Sequence, residues 1–182
     1  MSEAPKLQAL PRWVDARKFA YQGVEMEGFI ARDQLSRLAD AVVQVVQPVH
    51  AKLQFSVDDS RHRIVSGEVN VEVEVTCQRC MESVPLSIQG QLLVGVVASE
   101  DEAKQLPRDI EPWLLADVEG NCDLYEVIED ELLLDLPMVS YHDYQCIDDS
   151  LYSSGDEVVE EKAEEKPSPF DVLKNLKNTT DS

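Results

Sequence analysis

Two of the chain's four cysteines lie three positions apart, in the stretch "VTCQRC". A C-x2-C pair can bind a metal ion, carry out thiol–disulfide chemistry, or simply turn the chain with two free thiols. A redox pair needs its first cysteine at a helix N-terminus, usually within a βαβ unit, because the helix dipole lowers the thiol pKa. Cys77 and Cys80 instead fall between two predicted strands. Redox catalysis is therefore disfavoured.

A closed metal site at this pair requires two further ligands, since structural zinc takes four. The other cysteines do not form a second C-x2-C, and the only nearby imidazole is that of His142. The best closed set is Cys77, Cys80, His142 and Cys146, with H-x3-C as its second half and zinc as the ion. The alternative is a small-residue turn with partly buried free thiols and no cofactor.

Catalytic motifs are absent from the sequence. It contains no nucleophile elbow, P-loop, GxGxxG or HExxH. The acids between residues 123 and 136 could be read as the carboxylate cluster of a nuclease, but most such runs are solvated helix faces. We therefore expect a protein without enzymatic activity.

Alternating apolar residues on both sides of the cysteine pair predict antiparallel strands with one solvent-exposed face. The apolar positions are Leu53, Phe55 and Val57, then Val69, Val71, Val73 and Val75, and beyond the cysteines Val84, Leu86, Ile88, Leu92, Val94 and Val96. Cys77 shares the parity of the preceding valines, so its side chain should start on the buried face. The C-x2-C is predicted to cap a hairpin.

Two amphipathic helices are predicted outside this strand region. The first follows Ala31 and has its apolar stripe at Leu35, Leu38, Ala39 and Val42. The second begins at the capping pair Asp123 and Glu126 and ends at Pro137, with its stripe at Leu124, Ile128, Leu132 and Leu136. The acids Glu126, Glu129, Asp130 and Glu131 are interpreted as its ordinary solvent-exposed side.

These elements predict one α+β domain at residues 10–145, with a mainly antiparallel β-sheet and two or more flanking helices. A disordered acidic linker is predicted at 147–167, where "SSGDEVVEEKAEEKPS" has too few large apolar residues to offset chain entropy. A short docking helix is predicted at 168–177 from the spacing of Phe170, Leu173 and Leu176. The alternative is that this segment folds back on its own domain.

The whole chain has a formal net charge of −20, and its acidic residues are concentrated in the second half. Residues 1–99 carry 12 acidic and 10 basic side chains, whereas residues 100–165 carry 22 acidic and 3 basic ones. A broad nucleic-acid footprint needs clustered Lys and Arg, so wrapping of RNA is disfavoured. An acidic surface mostly keeps a protein soluble. The more specific alternative is that the acidic surface binds a basic protein partner.

Several separated stretches resemble one family: "YQGV", "VTCQRC", "EVIEDELLLDLPMVSYH" and "PSPFDVLKNLK". Together, over roughly residues 10–177, they are similar to the YceD proteins, called large ribosomal RNA subunit accumulation proteins. The resemblance implies a non-enzymatic bacterial factor for the synthesis, processing or stability of 23S rRNA. The positions that match the family motif are Cys77, Cys80, Glu129, Asp130, Glu131, Leu133, Pro137 and His142. Many relatives carry a second C-x2-C after the L-P segment, where this chain keeps only His142 and Cys146.

Two functions follow from these observations. The first is a factor that acts through contacts with ribosome-assembly or rRNA-processing proteins, among them a basic ribosomal protein. The second is a direct RNA-binding zinc-knuckle module, with Arg61, Arg63 and Arg79 around the hairpin as phosphate contacts. The sequence has no run of about 18 apolar residues and no signal-peptide stretch, so we expect a cytoplasmic protein without membrane contact.

Overall fold

Strands occupy most of the segment in which apolar residues alternate. The computed structural model describes residues 8–117 and 120–152 of the chain. The strands are β1 (Gln8–Ala9), β2 (Trp13–Asp15), β3 (Glu25–Ile30), β4 (Gln44–Val45), β5 (Val49–Val57), β6 (Arg63–Thr76), β7 (Ser83–Val97), β8 (Glu111–Leu114) and β9 (Asn121–Asp123). The α-helices are α1 (Ala16–Gln22), α2 (Ser36–Ala41), α3 (Glu100–Ala103) and α4 (Leu124–Leu134), and 3-10 turns cover Arg32–Gln34 and Asp149–Tyr152.

The main sheet has the order β1-β3-β5-β6-β7-β8. Strand β5 pairs with residues 63–70 of β6, and β4 pairs with residues 73–74 of the same strand. Its inner pairs are antiparallel, but β1 and β3 pair in parallel, as do β7 and β8. The α+β class is confirmed, and the sheet, predicted as mainly antiparallel, is mixed. The two strands of each parallel pair are joined by a connection that contains a helix. The alternation of apolar and polar side chains does not show whether two strands pair in parallel or antiparallel. Strands β2 and β9 form a separate antiparallel pair.

The predicted apolar face of the sheet is its buried face. Phe55, Val65 and Val69 are fully buried, whereas Glu68 and Glu72 on the other face are exposed. Helix α1 covers β5, with the ring of Phe19 edge-on to that of Phe55 at a centroid distance of 5.5 Å. Helix α4 covers β6 and β7. This burial of apolar side chains is the main force that holds the helices on the sheet.

Helix α4 approaches β7 closely because position 90 has no side chain. A Cβ on Gly90 would lie 2.8 Å from Cγ of Glu131 and 2.8 Å from a methyl carbon of Val69. A larger residue at this position would therefore push α4 away from the sheet. The fully buried side chains of α4 are those predicted, Leu124, Ile128 and Leu132.

The first predicted helix is shorter than its apolar stripe. Leu35 and Leu38 are buried as expected, but Ala39 is exposed and α2 ends at Ala41. Val42 has extended backbone angles, with φ −120° and ψ 166°. The β-branched valines that follow favour a strand, and β4 then pairs with β6. Sheet pairing thus overrides the last turn of the predicted helix.

The predicted capping of α4 is confirmed. The Asp123 carboxylate accepts hydrogen bonds from the backbone N–H groups of Tyr125 and Glu126, at 3.0 and 3.4 Å. Arg12 donates to the same carboxylate at 2.9 Å, so the N-terminal segment is fixed at the start of the helix. The helix ends at Leu134, and Leu136, predicted as its last apolar position, lies beyond it.

Glu129 does not lie on a solvent-exposed side, and that interpretation was wrong. Only 6% of the residue is exposed. One carboxylate oxygen accepts the N–H of Leu38 at 2.9 Å, and the other accepts from Nε of Arg37 at 3.0 Å. Helix α2 has no side-chain cap of its own, and the N–H of Leu38 belongs to its unpaired first turn. Glu129 therefore caps α2 from another helix.

The chain beyond the sheet domain forms a second unit from Ile147, whereas residues up to Cys146 form the first. The described part of the second unit contains the 3-10 turn Asp149–Tyr152. The rest of the linker predicted at 147–167 and the docking helix predicted at 168–177, with Phe170, Leu173 and Leu176, lie outside the described residues. Among the described residues, no helix has the length and apolar character needed to cross a membrane.

We expect Glu129→Ala to lower the free energy of unfolding by about 2–4 kcal/mol, because it leaves the buried N–H of Leu38 without its acceptor and removes one of the two carboxylates that bind Arg37. Asp130→Ala is the matched control, since Asp130 binds the same Arg37 but its side chain is 52% exposed. The control should cost less than about 1 kcal/mol. Urea denaturation followed by circular dichroism measures both, and equal losses would contradict the capping role.

Candidate metal centre

The turn between β6 and β7 carries the cysteine pair, as predicted. Cys77 donates its N–H to the carbonyl of Glu82 at 2.7 Å, and its own carbonyl accepts the N–H of Met81 at 2.9 Å. Met81 has a left-handed backbone with φ 65°, which reverses the chain within this short turn. Cys77 is fully buried and Cys80 half-buried. These hydrogen bonds hold the backbone of the turn that carries the two thiols.

The two residues between the cysteines hold the chain segment that follows α4. Gln78 donates its N–H to the carbonyl of Ser140 at 2.9 Å and its side-chain amide to the carbonyl of Met138 at 3.1 Å. The guanidinium group of Arg79 donates to the carbonyls of His142 and Tyr144. These bonds lay the segment against the hairpin turn.

An aromatic contact adds to these hydrogen bonds. The guanidinium carbon of Arg79 lies 5.0 Å from the centre of the Tyr141 ring, a cation–π distance. The rings of His142 and Tyr144 are 4.7 Å apart. The ring of Tyr144 therefore packs against the imidazole of His142.

The four predicted ligands meet at this place. The ligand atoms of Cys77, Cys80, His142 and Cys146 all lie within 4.8 Å of one another. The Sγ atoms of Cys77 and Cys146 are 3.7 Å apart, and Sγ of Cys80 is 3.4 Å from Nδ1 of His142. Ligands of one tetrahedral zinc ion lie about 3.8 Å apart for two sulfurs and about 3.6 Å for a sulfur and a nitrogen. The cluster therefore has dimensions that suit one tetrahedral ion.

The tautomer of His142 follows from its second hydrogen bond. Its Nε2 lies 3.2 Å from the carbonyl oxygen of Ser83. Because a carbonyl only accepts, Nε2 must carry the proton, and the lone pair of a neutral ring is then on Nδ1. Nδ1 is the atom that faces Cys80. A partner on the outer nitrogen is the usual arrangement for a metal-binding histidine.

The thiols of the cluster differ in acidity. Burial raises the pKa of Cys77, but hydrogen bonds from the backbone N–H groups of Cys80, Arg79 and His142 outweigh it and lower that pKa to about 5. Burial, together with hydrogen bonds to the Cys80 and Cys77 thiols, raises the pKa of Cys146 to about 11. The two sulfurs are 3.7 Å apart, so the pair loses its first proton more easily than its second. A metal ion that binds all four donors must displace the remaining proton.

The fourth cysteine is outside the cluster. Cys122 lies in β9 opposite Val14 and is fully buried. Burial raises the pKa of its thiol to about 12, so it stays protonated. It is a core residue rather than a ligand.

The remaining positions of the family motif lie on or just after α4. Glu129 caps α2 and Asp130 pairs with Arg37, as described above. Burial, with a smaller contribution from the charges of Asp135 and Glu111, raises the pKa of Glu131. Leu133 packs at the edge of the core, and Pro137 is exposed where the chain turns toward the metal centre. These positions thus support the fold, and none of them contributes a ligand atom to the cluster.

The arginines of the RNA-binding alternative do not form one patch. Arg61 and Arg63 lie before or at the start of β6, and Arg79 lies beyond its other end. The length of this strand separates them by roughly 40 Å, at about 3.3 Å per residue. Arg63 is paired with Glu102, and Arg79 holds the segment after α4.

The sequence analysis did not predict that Gln78 and Arg79 bind the segment after α4. Their position between the two cysteines was a signal that could have indicated this role.

Fold and site define an α+β protein with a Cys3His cluster of metal-binding type at the tip of a long β-hairpin. The family described as Large ribosomal RNA subunit accumulation protein YceD matches residues 65–177, more than half of the chain. A protein of that name from Haemophilus influenzae is 36% identical over 168 residues, which cover 92% of this chain and 96% of the relative. The chain belongs to the YceD family. No solved structure matches it.

Proposed function

We propose that this protein is a non-enzymatic ribosome-biogenesis factor of the cytoplasm that supports the synthesis, processing or stability of 23S rRNA. The observation that carries the proposal is the 36% identity, over almost the full length of both chains, to a relative named for large ribosomal RNA subunit accumulation. The cysteine–histidine cluster supports a role without catalysis. A site with four protein ligands leaves no position on the ion for a substrate or a reactive water.

The factor acts through protein contacts rather than by wrapping RNA. The net charge of −20 opposes a phosphate-binding surface. The hairpin arginines that could bind phosphate are separated, and two of the three make contacts within the chain. One contact is made by the C-terminal segment with Phe170, Leu173 and Leu176, whose apolar spacing suits a docking helix.

The cysteine–histidine cluster holds one zinc ion with a structural role. Zinc accepts three thiolates and one imidazole in tetrahedral geometry, and these are the donors that converge here. The ion adds a bond between the hairpin turn and the segment after α4. Its binding energy thereby becomes part of the stability of the folded domain.

Protein purified without chelator should contain one zinc ion per chain by elemental mass spectrometry. Cys146→Ser should lose most of this zinc, because it removes one of the four ligands. Cys122→Ala, which removes a thiol outside the cluster, should keep it. A chelator should lower the melting temperature of the wild type and leave that of Cys146→Ser unchanged. Equal zinc contents in the two variants would contradict the site.

The cellular role is tested in a strain that lacks the gene, by measuring the ratio of 23S to 16S rRNA. We expect a lowered ratio that the full chain restores and a truncation ending at Glu165 does not. The truncated protein should keep its melting temperature and lose proteins that co-purify with the full chain. A lowered melting temperature would instead indicate that the segment folds back on its own domain.

The same purification separates protein contacts from RNA contacts. Partners bound through protein contacts should remain after nuclease treatment, because their association does not need RNA. Loss of all partners after nuclease would favour the RNA-binding alternative. An unchanged rRNA ratio in the strain without the gene would overturn the proposed function itself.

A further inference from the structure

A groove of about 370 Å³ lies between α4 and β8 and shares no lining residue with the cysteine–histidine cluster. Its floor includes Val94 of β7 and Trp113 of β8. The pairing of Val94 with Glu111 places Glu111 and Trp113 on the same face of the sheet as Val94, because side chains alternate along a strand. Val94 and Trp113 are only 5% and 8% exposed, so they close the bottom of the groove at the edge of the sheet and belong to the core.

The wall formed by α4 is acidic. Asp123, Glu126, Asp130 and Glu131 line the groove from this helix, and Glu111 lines it from β8. Asp123 is neutralised by Arg12 and Asp130 by Arg37. Among the described residues, no ion pair involves Glu111, Glu126 or Glu131. Within the described part of the chain, three carboxylates around this groove therefore have no cation partner.

The electrostatics of the groove favour a positive ligand. Burial is the main cause of the raised pKa of Glu131, and the negative charges of Asp135 and Glu111 raise this pKa further. A cation placed between these carboxylates would relieve their mutual repulsion. Leu114 and Leu134, which also line the groove, are 49% and 71% exposed, so the groove offers apolar contact beside its charges.

The dimensions of the groove favour an extended ligand. The lining residues along α4 run from its N-cap, Asp123, to Leu134, a length of roughly 16 Å at about 1.5 Å per residue. An extended chain covers this distance with about five residues, whose side chains alternate between two directions. One set can lie against the exposed leucines Leu114 and Leu134 while the other reaches the carboxylates.

We propose that this groove binds an extended basic segment of another protein, with apolar side chains against Leu114 and Leu134 and lysine or arginine side chains against Glu111 and Glu126. The inference rests on the proposed function through protein contacts and names the chemistry of the partner. RNA does not suit a wall of carboxylates, because its phosphates would be repelled.

The probe is a fluorescein-labelled peptide of alternating lysine and valine, KVKVKVK, titrated with the full-length protein and followed by fluorescence anisotropy. It should bind more tightly than EVEVEVE, which reverses the charge, and than KSKSKSK, which removes the apolar side chains. Glu111→Gln/Glu126→Gln should weaken binding at least about three-fold, since two charge pairs are lost at a partly shielded surface. Leu134→Ser should also weaken it.

The matched control is Glu25→Gln/Glu68→Gln. These residues are likewise exposed glutamates and line a different surface depression. The control should keep the affinity within two-fold of the wild type. Equal losses in the two double variants would show binding to net charge alone and would overturn the groove. So would direct binding of a labelled 23S rRNA fragment that Leu134→Ser weakens, or a dimer in analytical ultracentrifugation that Leu134→Ser dissociates.

The peptide titration and the rRNA ratio fail independently. If the protein binds KVKVKVK selectively but loss of its gene does not change 23S rRNA, the proposed function is wrong and the proposed groove stands. A normal effect on 23S rRNA with no difference between KVKVKVK and EVEVEVE overturns the groove and keeps the function.

Discussion

The convergence of four donor atoms at the hairpin tip is the constraint on which the second half of the domain depends. Residues 138–146, all within the described part of the chain, form no helix or strand. Such a segment has few backbone partners of its own, so it must be held by side chains or by an ion. Gln78 and Arg79 provide hydrogen bonds, and the cluster of Cys77, Cys80, His142 and Cys146 provides the place for an ion.

The acidic composition has different physical roles at different positions of one helix. Asp123 caps the N-terminus of α4, where the helix dipole favours negative charge. Glu129 points away from solvent and caps α2. Glu126 faces the groove beside β8 without a cation partner among the described residues. The number of acidic residues therefore bears on solubility. The role of each acidic residue depends on its position along α4 and on the face of the helix that it occupies.

Sequence patterns predicted the elements that depend on local periodicity. The parity of the valines located the buried face and Cys77, and Asp123 marked the start of α4. The length of α2 was not predictable in this way, because pairing of β4 with a distant strand ends the helix. The burial of Glu129 was missed for a related reason. Nothing in the periodicity of α4 shows that a neighbouring helix lacks a cap.

The candidate site was predictable as a set of residues but not as a geometry. Four donor residues could be selected by type and by the need for four ligands. Their convergence depends on Gln78 and Arg79, which bring a segment more than 50 positions away against the turn. The long β6–β7 hairpin also separates Arg61 and Arg63 from Arg79, a distance that sequence proximity concealed.

Zinc K-edge X-ray absorption of the purified protein tests the central claim most directly, because it reports the atoms around the ion. Three sulfur ligands at about 2.3 Å and one nitrogen ligand at about 2.0 Å are the result that the cluster predicts. Cys122→Ala should leave this first shell unchanged, because Cys122 is not one of the four clustered donors. A first shell of oxygen and nitrogen, or two sulfurs in the wild type, would contradict convergence of Cys77, Cys80, His142 and Cys146 on one ion.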